Sequence, residues 1–355
     1  MSAYVAPHKL KLHGSGSAFP GAPVTTAELL HALENMIGRG ASRRARAIAH
    51  RLGIQSRYLS RDMNAARGAI VTGQDAPTLC GNALKAALAH SNDDINDLGY
   101  LIGHTTSPHT LLPPNIAWVA DSLQFEAPYV ELRQACTGFA NALQMAGGLL
   151  NGGGLERVAI VGSETGSAYF TIDEEFATTD QLVNYVQMGD GASAVVLGPD
   201  DGSERSMISD LYIGHIGNGK APGLSLNAGG SGQPYCPSGL PVFEHRADGV
   251  RSSGVALFEQ GAATIEARGY DLRDFKRIIP HQANGKMAKP LARHLGLDQE
   301  QIHVTANRLG NLGSAAIWAA FDDLRRDDVL QPGDRVLVLG AEATKFIYGG
   351  FVYTH

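Results

Sequence analysis

Cysteine is scarce in this chain of 355 residues: Cys80, Cys136 and Cys236 are the three it has. An odd, widely spaced set builds no disulfide framework, so a reducing compartment is expected. Charge is sparse too, with charged residues at 18% and a net charge of −6. Without a basic excess the chain lacks the electrostatic footprint of a protein whose main partner is nucleic acid. No apolar run reaches the roughly 20 residues of a membrane span. The start, Met1-Ser2-Ala3-Tyr4-Val5, shows no basic-then-apolar leader, and no low-complexity tail is present. The reading is a soluble, cytoplasmic protein with no membrane partner. What is plentiful points the same way. Hydrophobic residues make up 44% and there are 43 glycines, enough for a large core with many tight turns. The length suits two units better than one.

One of the few cysteines stands in an informative place. Pro128-Tyr129-Val130-Glu131-Leu132 reads as a strand, and Ala140 to Ala146 as the start of an apolar helix, with Cys136 between them. At a helix start the first N–H groups are unpaired and the dipole favours negative charge. The expectation is a thiol that ionises more readily than a free one, and hence a nucleophile. A small buried residue is the plainer reading.

Two later segments favour the first reading. Phe275 to Ile279 reads as a strand ending in Pro280-His281-Gln282-Ala283-Asn284, and Arg308-Leu309-Gly310-Asn311-Leu312-Gly313 as a loop entering an apolar helix. Cys136, His281 and Asn311 each stand where a strand or loop meets a helix, the place where α/β folds collect active-site groups. The chain also repeats itself. Leu98 to His104 parallels Phe275 to His281, and Arg157-Val158 through Gly162-Ser163-Glu164 parallels Arg335-Val336 through Gly340-Ala341-Glu342. Two related α/β halves are expected, with the site between them. His104, the counterpart of His281, is read as structural. The division falls at Pro199-Asp200-Asp201-Gly202, giving 1–199 with the cysteine and 200–355 with the histidine and asparagine.

A coarse pass places helices over 29–37 (capped by Thr26), 41–52, 76–89 and 254–267, and a long Gly/Ser/Pro-rich loop over 218–239. Glu131 and Arg133 flank the cysteine strand without a catalytic role. Lys286, Lys289 and Arg293 follow His281 at spacings of three and four and so share a helix face. Arg43, Arg44, Arg46 and Arg51 form a second basic stretch. Either set is a solvated face or a dock for an acidic partner.

Taken together, Gly14-Ser15-Gly16-Ser17, Ala135-Cys136-Thr137-Gly138-Phe139, Met188-Gly189-Asp190-Gly191-Ala192, Pro280-His281-Gln282-Ala283-Asn284 and Arg308-Leu309-Gly310-Asn311 resemble the β-ketoacyl-ACP synthase III family, condensing enzymes of the thiolase fold. The matching pieces keep family order over nearly the whole chain. The resemblance implies two pseudo-duplicated α/β halves in five αβαβα layers, a homodimer, and a Cys136, His281, Asn311 triad. It implies Leu112, Asn284 and Phe346 as substrate-binding residues, and Lys286, Lys289 and Arg293 as a dock for acyl carrier protein. The implied reaction is decarboxylative condensation of an acyl thioester, on coenzyme A or carrier protein, with malonyl-ACP through an acyl-cysteine. No metal or redox cofactor is implied.

The chain departs from the family at three places. Ala343-Thr344-Lys345-Phe346 stands where a glycine-rich run completes the oxyanion hole. No tryptophan occurs over 35–58, where relatives using acetyl-CoA stack one on adenine. Leu112 replaces an aromatic residue that closes the acyl pocket across the dimer. These departures lead to the expectation of a longer or unusual acyl group, in fatty-acid-like or specialised synthesis. The alternatives are an acyltransferase of the same fold acting on a hydroxyl or amine, and a partner subunit of a heterodimeric condensing enzyme.

Overall fold

A computed structural model describes residues 3–355 except 68, 153, 174, 237, 238 and 240. In chain order, β1 (Tyr4–Val5), β2 (Leu10–Ala18) and β3 (Val24–Thr25) lead into α1 (Thr26–Ile37) and α2 (Arg39–Leu52), then β4 (Ser56–Arg57) and α3 (Ala76–Ser91). Next come β5 (Tyr100–His104), α4 (Asn115–Leu123), β6 (Tyr129–Leu132), α5 (Gly138–Gly152), β7 (Val158–Glu164), α6 (Thr179–Gln187) and β8 (Gly191–Pro199). The remainder is β9 (Met207–His215), β10 (Leu224–Leu226), β11 (Phe243–His245), α7 (Ala247–Glu266), β12 (Arg277–Pro280), α8 (Ala288–Leu295), α9 (Ala306–Leu309), α10 (Ala316–Arg326), β13 (Arg335–Glu342) and β14 (Ile347–Thr354).

The repeat seen in the sequence reappears as strand order. In one half β6, β5 and β7 are parallel neighbours, and β8 and β2 follow antiparallel. In the other, β12 and β13 are parallel, β14 and β9 follow antiparallel, and a parallel bridge from Ile278 to Ile302 takes the place of β6. The halves join through two residue pairs between β2 and β9. Helices α5 and α10, one from each half, lie between the sheets, where Phe139, Leu143, Trp318 and Phe321 meet Ile160, Val195, Val338 and Phe351. Helices α3 and α4 cover the first sheet outside, and α7 and α8 the second. The result is the αβαβα thiolase fold. Fully burying each large apolar side chain of this middle layer contributes about 1.5–3 kcal/mol, so the two central helices are firmly held.

The local readings need small corrections. The cap of α1 is Thr25, whose hydroxyl accepts from Glu28 N–H while the Glu28 carboxylate accepts from Thr25 N–H. Thr26 is already helical, and its hydroxyl donates to Ile54 O. Helix α7 begins at Ala247, seven residues before the expected start. The loop over 218–239 contains β10, which pairs with β11 and roofs the site. His104 is structural: buried, it accepts from the Trp318 indole N–H at 3.2 Å, and burial pushes its pKa down to about 3.

Candidate active site

Cys136 lies in the turn between β6 and α5. The next residue, Thr137, donates its backbone N–H to Glu342 Oε2 at 3.0 Å and its hydroxyl to the same oxygen at 2.7 Å. Glu342 ends β13 in the other half and is buried. A carboxylate thus occupies the helix start that was expected to favour a thiolate. Glu164, the counterpart of Glu342 at the end of β7, does the reciprocal job. Its Oε2 accepts from Ser314 N–H at 3.2 Å and Ser314 Oγ at 2.9 Å, at the entrance to α10. Each half therefore caps the central helix of the other. For Cys136 this overturns the expected easy ionisation. Burial, then the charges of Glu342 and Glu164, push its thiol well above the ordinary range, and only its own backbone N–H favours the thiolate.

His281 follows the last residue of β12, where its backbone N–H donates to Leu339 O at 2.8 Å. It is 8% exposed, and burial pushes its pKa down to about 4. The imidazole is therefore neutral near pH 7, with one N–H donor and one acceptor nitrogen. Asn311 sits between α9 and α10. Gly310 before it has φ +72°, and a side chain there would meet Gln187 O at 2.9 Å. Asn311 Oδ1 accepts from Gly313 N–H at 3.1 Å. Because a backbone N–H can only donate, this contact identifies the oxygen and leaves the amide NH2 as the donor on the other side.

The three side chains meet at one cavity, which Cys136, His281, Asn311, Phe346 and Ala283 line together. It has a volume of about 150 Å³. A second cavity of about 390 Å³ adjoins it at Cys136, Met188, Leu224 and Asn311, and its walls are chiefly apolar. Gly166, Met188, Leu226 and Phe243 line this larger space. Cys136 stands where the two chambers meet, and the walls of the smaller one are chiefly apolar as well. That arrangement can hold an acyl chain on one side and a second reactant on the other.

The other sequence-predicted residues scatter. Phe346 reaches the smaller cavity, whereas Asn284 does not line it and uses its Oδ1 to accept from Lys286 N–H at 3.0 Å. Leu112 is 85% exposed, and it is the neighbouring Leu111 that touches the apolar cavity. Lys289 and Arg293 are exposed on α8 one turn apart. Lys286 is not on that helix: it precedes it, and its amine donates to His50 O at 2.5 Å. The three therefore do not share one helix face. That contact, with Gly285 N–H donating to Leu52 O at 2.9 Å, instead sets the basic helix α2 against the foot of α8. Glu131 Oε2 accepts from Ile116 N–H at 2.9 Å and so caps α4, while Arg133 lines the apolar cavity. Sequence reasoning passed over Glu164 and Glu342 as site residues. The paired Gly-x-Glu strand ends were a signal of duplication but not of two crossed caps.

Comparison with known proteins agrees with this geometry. Residues 130–215 match the family model described as 3-oxoacyl-[acyl-carrier-protein (ACP)] synthase III, and residues 265–353 match its C-terminal counterpart. A beta-ketoacyl-[acyl-carrier-protein] synthase III of Rhizorhabdus wittichii is 27% identical over 346 residues, covering 95% of this chain and 96% of that protein. A beta-ketoacyl-[acyl-carrier-protein] synthase III of Streptomyces coelicolor is 28% identical, covering 92% of each. Among solved structures, the tetronic acid condensing enzyme AbyA1 superposes with a TM-score of 0.84 at 22% identity, covering 98% of this chain and 100% of that one. The 3-oxoacyl-(acyl carrier protein) synthase III of Pseudomonas aeruginosa superposes with a TM-score of 0.78 at 22% identity, covering 98% of each.

Proposed function

From the premise that this chain belongs to the β-ketoacyl-ACP synthase III-like condensing enzymes, we propose that it joins an acyl thioester to malonyl-ACP through acyl-Cys136. The observation that carries the reading is the meeting of Cys136, His281 and Asn311 at the junction of two cavities. In the first half-reaction the Cys136 sulfur bonds to the acyl carbon. The carbon–sulfur bond to the donor breaks, and the thiol proton ends on the departing thiol. The neutral His281 ring is able to pass that proton, since its acceptor nitrogen is not already protonated. In the second, the malonyl C–CO2⁻ bond breaks and its electron pair becomes an enolate. The His281 N–H and the Asn311 NH2 donate to the enolate oxygen. Such donors in a dry site are worth about 10²–10³ in rate each. The carbanion bonds to the acyl carbon, Cys136 leaves as thiolate, and it takes one proton from solution. Its raised pKa favours that recovery.

Electrons and atoms balance without a metal or redox cofactor, and we propose that none is used. A homodimer is supported by β6, which among the described residues pairs with β5 alone at the end of the sheet, and by the exposed Leu111, Leu112 and Trp118. In such a dimer Leu112 reaches the partner's acyl cavity. Lys289 and Arg293, with α2 behind them, suit an acidic carrier protein. Residues 1–199 and 200–355 are read as the two units, and the cytoplasm as the compartment. Intact-mass detection of acyl-Cys136 tests the core of the proposal. Loading should vanish in Cys136→Ala, while Asn311→Ala should load and then fail to condense. Loading that persists in Cys136→Ala assigns the nucleophile to another residue. Repeating the condensation at rising salt tests carrier docking, whose KM should increase.

A further inference from the structure

A polar cleft remote from Cys136 lies between the start of β2, a bulge in β9 and the turn after α7. Its volume is about 290 Å³, and its walls are chiefly polar. His8, Lys9, Asp210, Arg268, Tyr270 and Arg335 line it. The register between β9 and β14 shifts at Gly350/Val352, and Asp210, in that bulge, has φ +50°. Bulges re-aim side chains. Here the Asp210 carboxylate accepts from Arg268 Nε at 3.0 Å and from the Tyr270 hydroxyl at 2.7 Å. Arg335 opens β13, an eight-residue strand whose other end, Glu342, caps α5 beside Cys136. At about 3.3 Å per residue, that strand sets the cleft roughly 20 Å from the thiol.

The cleft gathers three cations, Lys9, Arg268 and Arg335, against one carboxylate, in a chain whose net charge is −6. Asp210 pairs with Arg268. Lys9 is exposed and forms no hydrogen bond or ion pair among the described residues. Arg335 lies over the Tyr270 and Phe275 rings, 5.5 and 5.9 Å from their centroids, which fixes the plane of its guanidinium. Its charged partner among the described residues is Asp274, at 4.0 Å and largely exposed, and such a pair contributes little in water. None of the Arg335 side-chain N–H groups donates a hydrogen bond among the described residues. A guanidinium carries five donors in a planar fork that matches phosphate oxygens, and this one is held in place with its donors unspent. The surplus of positive charge suits a dianion, and the cleft has room beyond a bare phosphate ion. We propose that it binds a phosphate monoester of a small polar alcohol, with the phosphoryl oxygens on Arg335, Lys9 and the Nη groups of Arg268 and the alcohol part against the polar walls. The site is independent of the acyl-Cys136 reading.

The test titrates glycerol 3-phosphate into the full chain by calorimetry, beside inorganic phosphate and sodium chloride of matched ionic strength. Glycerol 3-phosphate should bind saturably, one per chain, at millimolar concentration or below and more tightly than inorganic phosphate. Sodium chloride should give no saturable heat. Lys9→Gln and Arg335→Gln should each weaken binding about tenfold or more, the effect of one lost charge-assisted hydrogen bond. Lys9 is exposed, so its variant decides the outcome if Arg335→Gln fails to fold. Cys136→Ala should bind the monoester as the wild type does, which separates the cleft from the candidate active site. Absence of saturable binding would overturn the proposal. So would inorganic phosphate that binds as tightly as the monoester, or undiminished binding in a folded Lys9 or Arg335 variant.

Discussion

On the proposed function, the apolar cavity makes chain length a property of Gly166. This residue opens a short 3-10 turn, Gly166–Tyr169, and lines the 390 Å³ chamber. A Cβ built there would lie 3.4 Å from Met188 Sδ and 3.8 Å from the Phe243 ring, both of which line the same chamber. Those are ordinary contacts, so alanine fits without moving its neighbours. Carbons beyond Cβ have to enter the chamber. Each methylene of substrate they displace removes about 0.8 kcal/mol of burial, a factor of about four. Gly166→Ala, which adds Cβ alone, should therefore leave the chain-length profile close to wild type. Gly166→Val, with two carbons beyond Cβ, should cost the longest accepted chain up to about 15-fold, while acetyl and butyryl donors load as before. The assay is the rate of mass gain on Cys136 across N-acetylcysteamine thioesters from acetyl to dodecanoyl. Wild type should favour the medium and long members. A valine variant with an unshifted profile would refute the assignment of this chamber to the acyl chain. A uniform loss at every length would refute it equally, since that pattern belongs to a damaged fold.

Three further outcomes are expected. Replacing the capping carboxylate in Glu342→Gln keeps an acceptor for Thr137 N–H and removes the larger of the two charges that hold the thiol protonated, so iodoacetamide should alkylate Cys136 faster at pH 7, by about tenfold per unit of lowered thiol pKa; an unchanged pH profile of alkylation would clear Glu342 of this role. His281 sits near pKa 4, below the ordinary value for histidine, so its neutral form is complete by about pH 6; loading should climb with pH through the thiol alone, and an inflection near 6.5 that disappears in His281→Asn would contradict this. At Gly310 the backbone has φ +72° and ψ −171°, a region open to glycine, so Gly310→Ala should destabilise by about 1–3 kcal/mol in thermal unfolding and should cost condensation more than loading by displacing Asn311; a variant with wild-type Tm and condensation rate would show that this turn does not set the asparagine.

Much of the candidate site was legible in the sequence because its makers are local. Cys136, His281 and Asn311 each sit at a strand or loop end marked by turn residues beside an apolar run, and such junctions are written in adjacent residues. The doubled α/β plan was legible for the same reason: a repeat of strand, turn and helix signals survives as a repeat of strand order. The start of α1 missed by one residue because Thr25 and Thr26 are equally good caps, and Glu28, three residues after Thr25, selects between them. The loop over 218–239 was misread in part because β10 is three residues long and finds its partner only at β11.

What tertiary structure alone decided is the electrostatics. A helix start near a cysteine predicts a readily ionised thiol, yet Glu342 arrives at that start from 205 residues away, and Glu164 reaches Ser314 across 150. Local pattern carries no information on which carboxylate meets which helix. The same holds for Asn184 and His245, ordinary polar residues in their own elements, which line one cavity with Cys136 only because α6 and β11 close on it. Backbone preference acts over a few residues and is readable in sequence order. Burial and charge act through space, and the fold sets the neighbours that shift a pKa or leave a buried N–H unpaired.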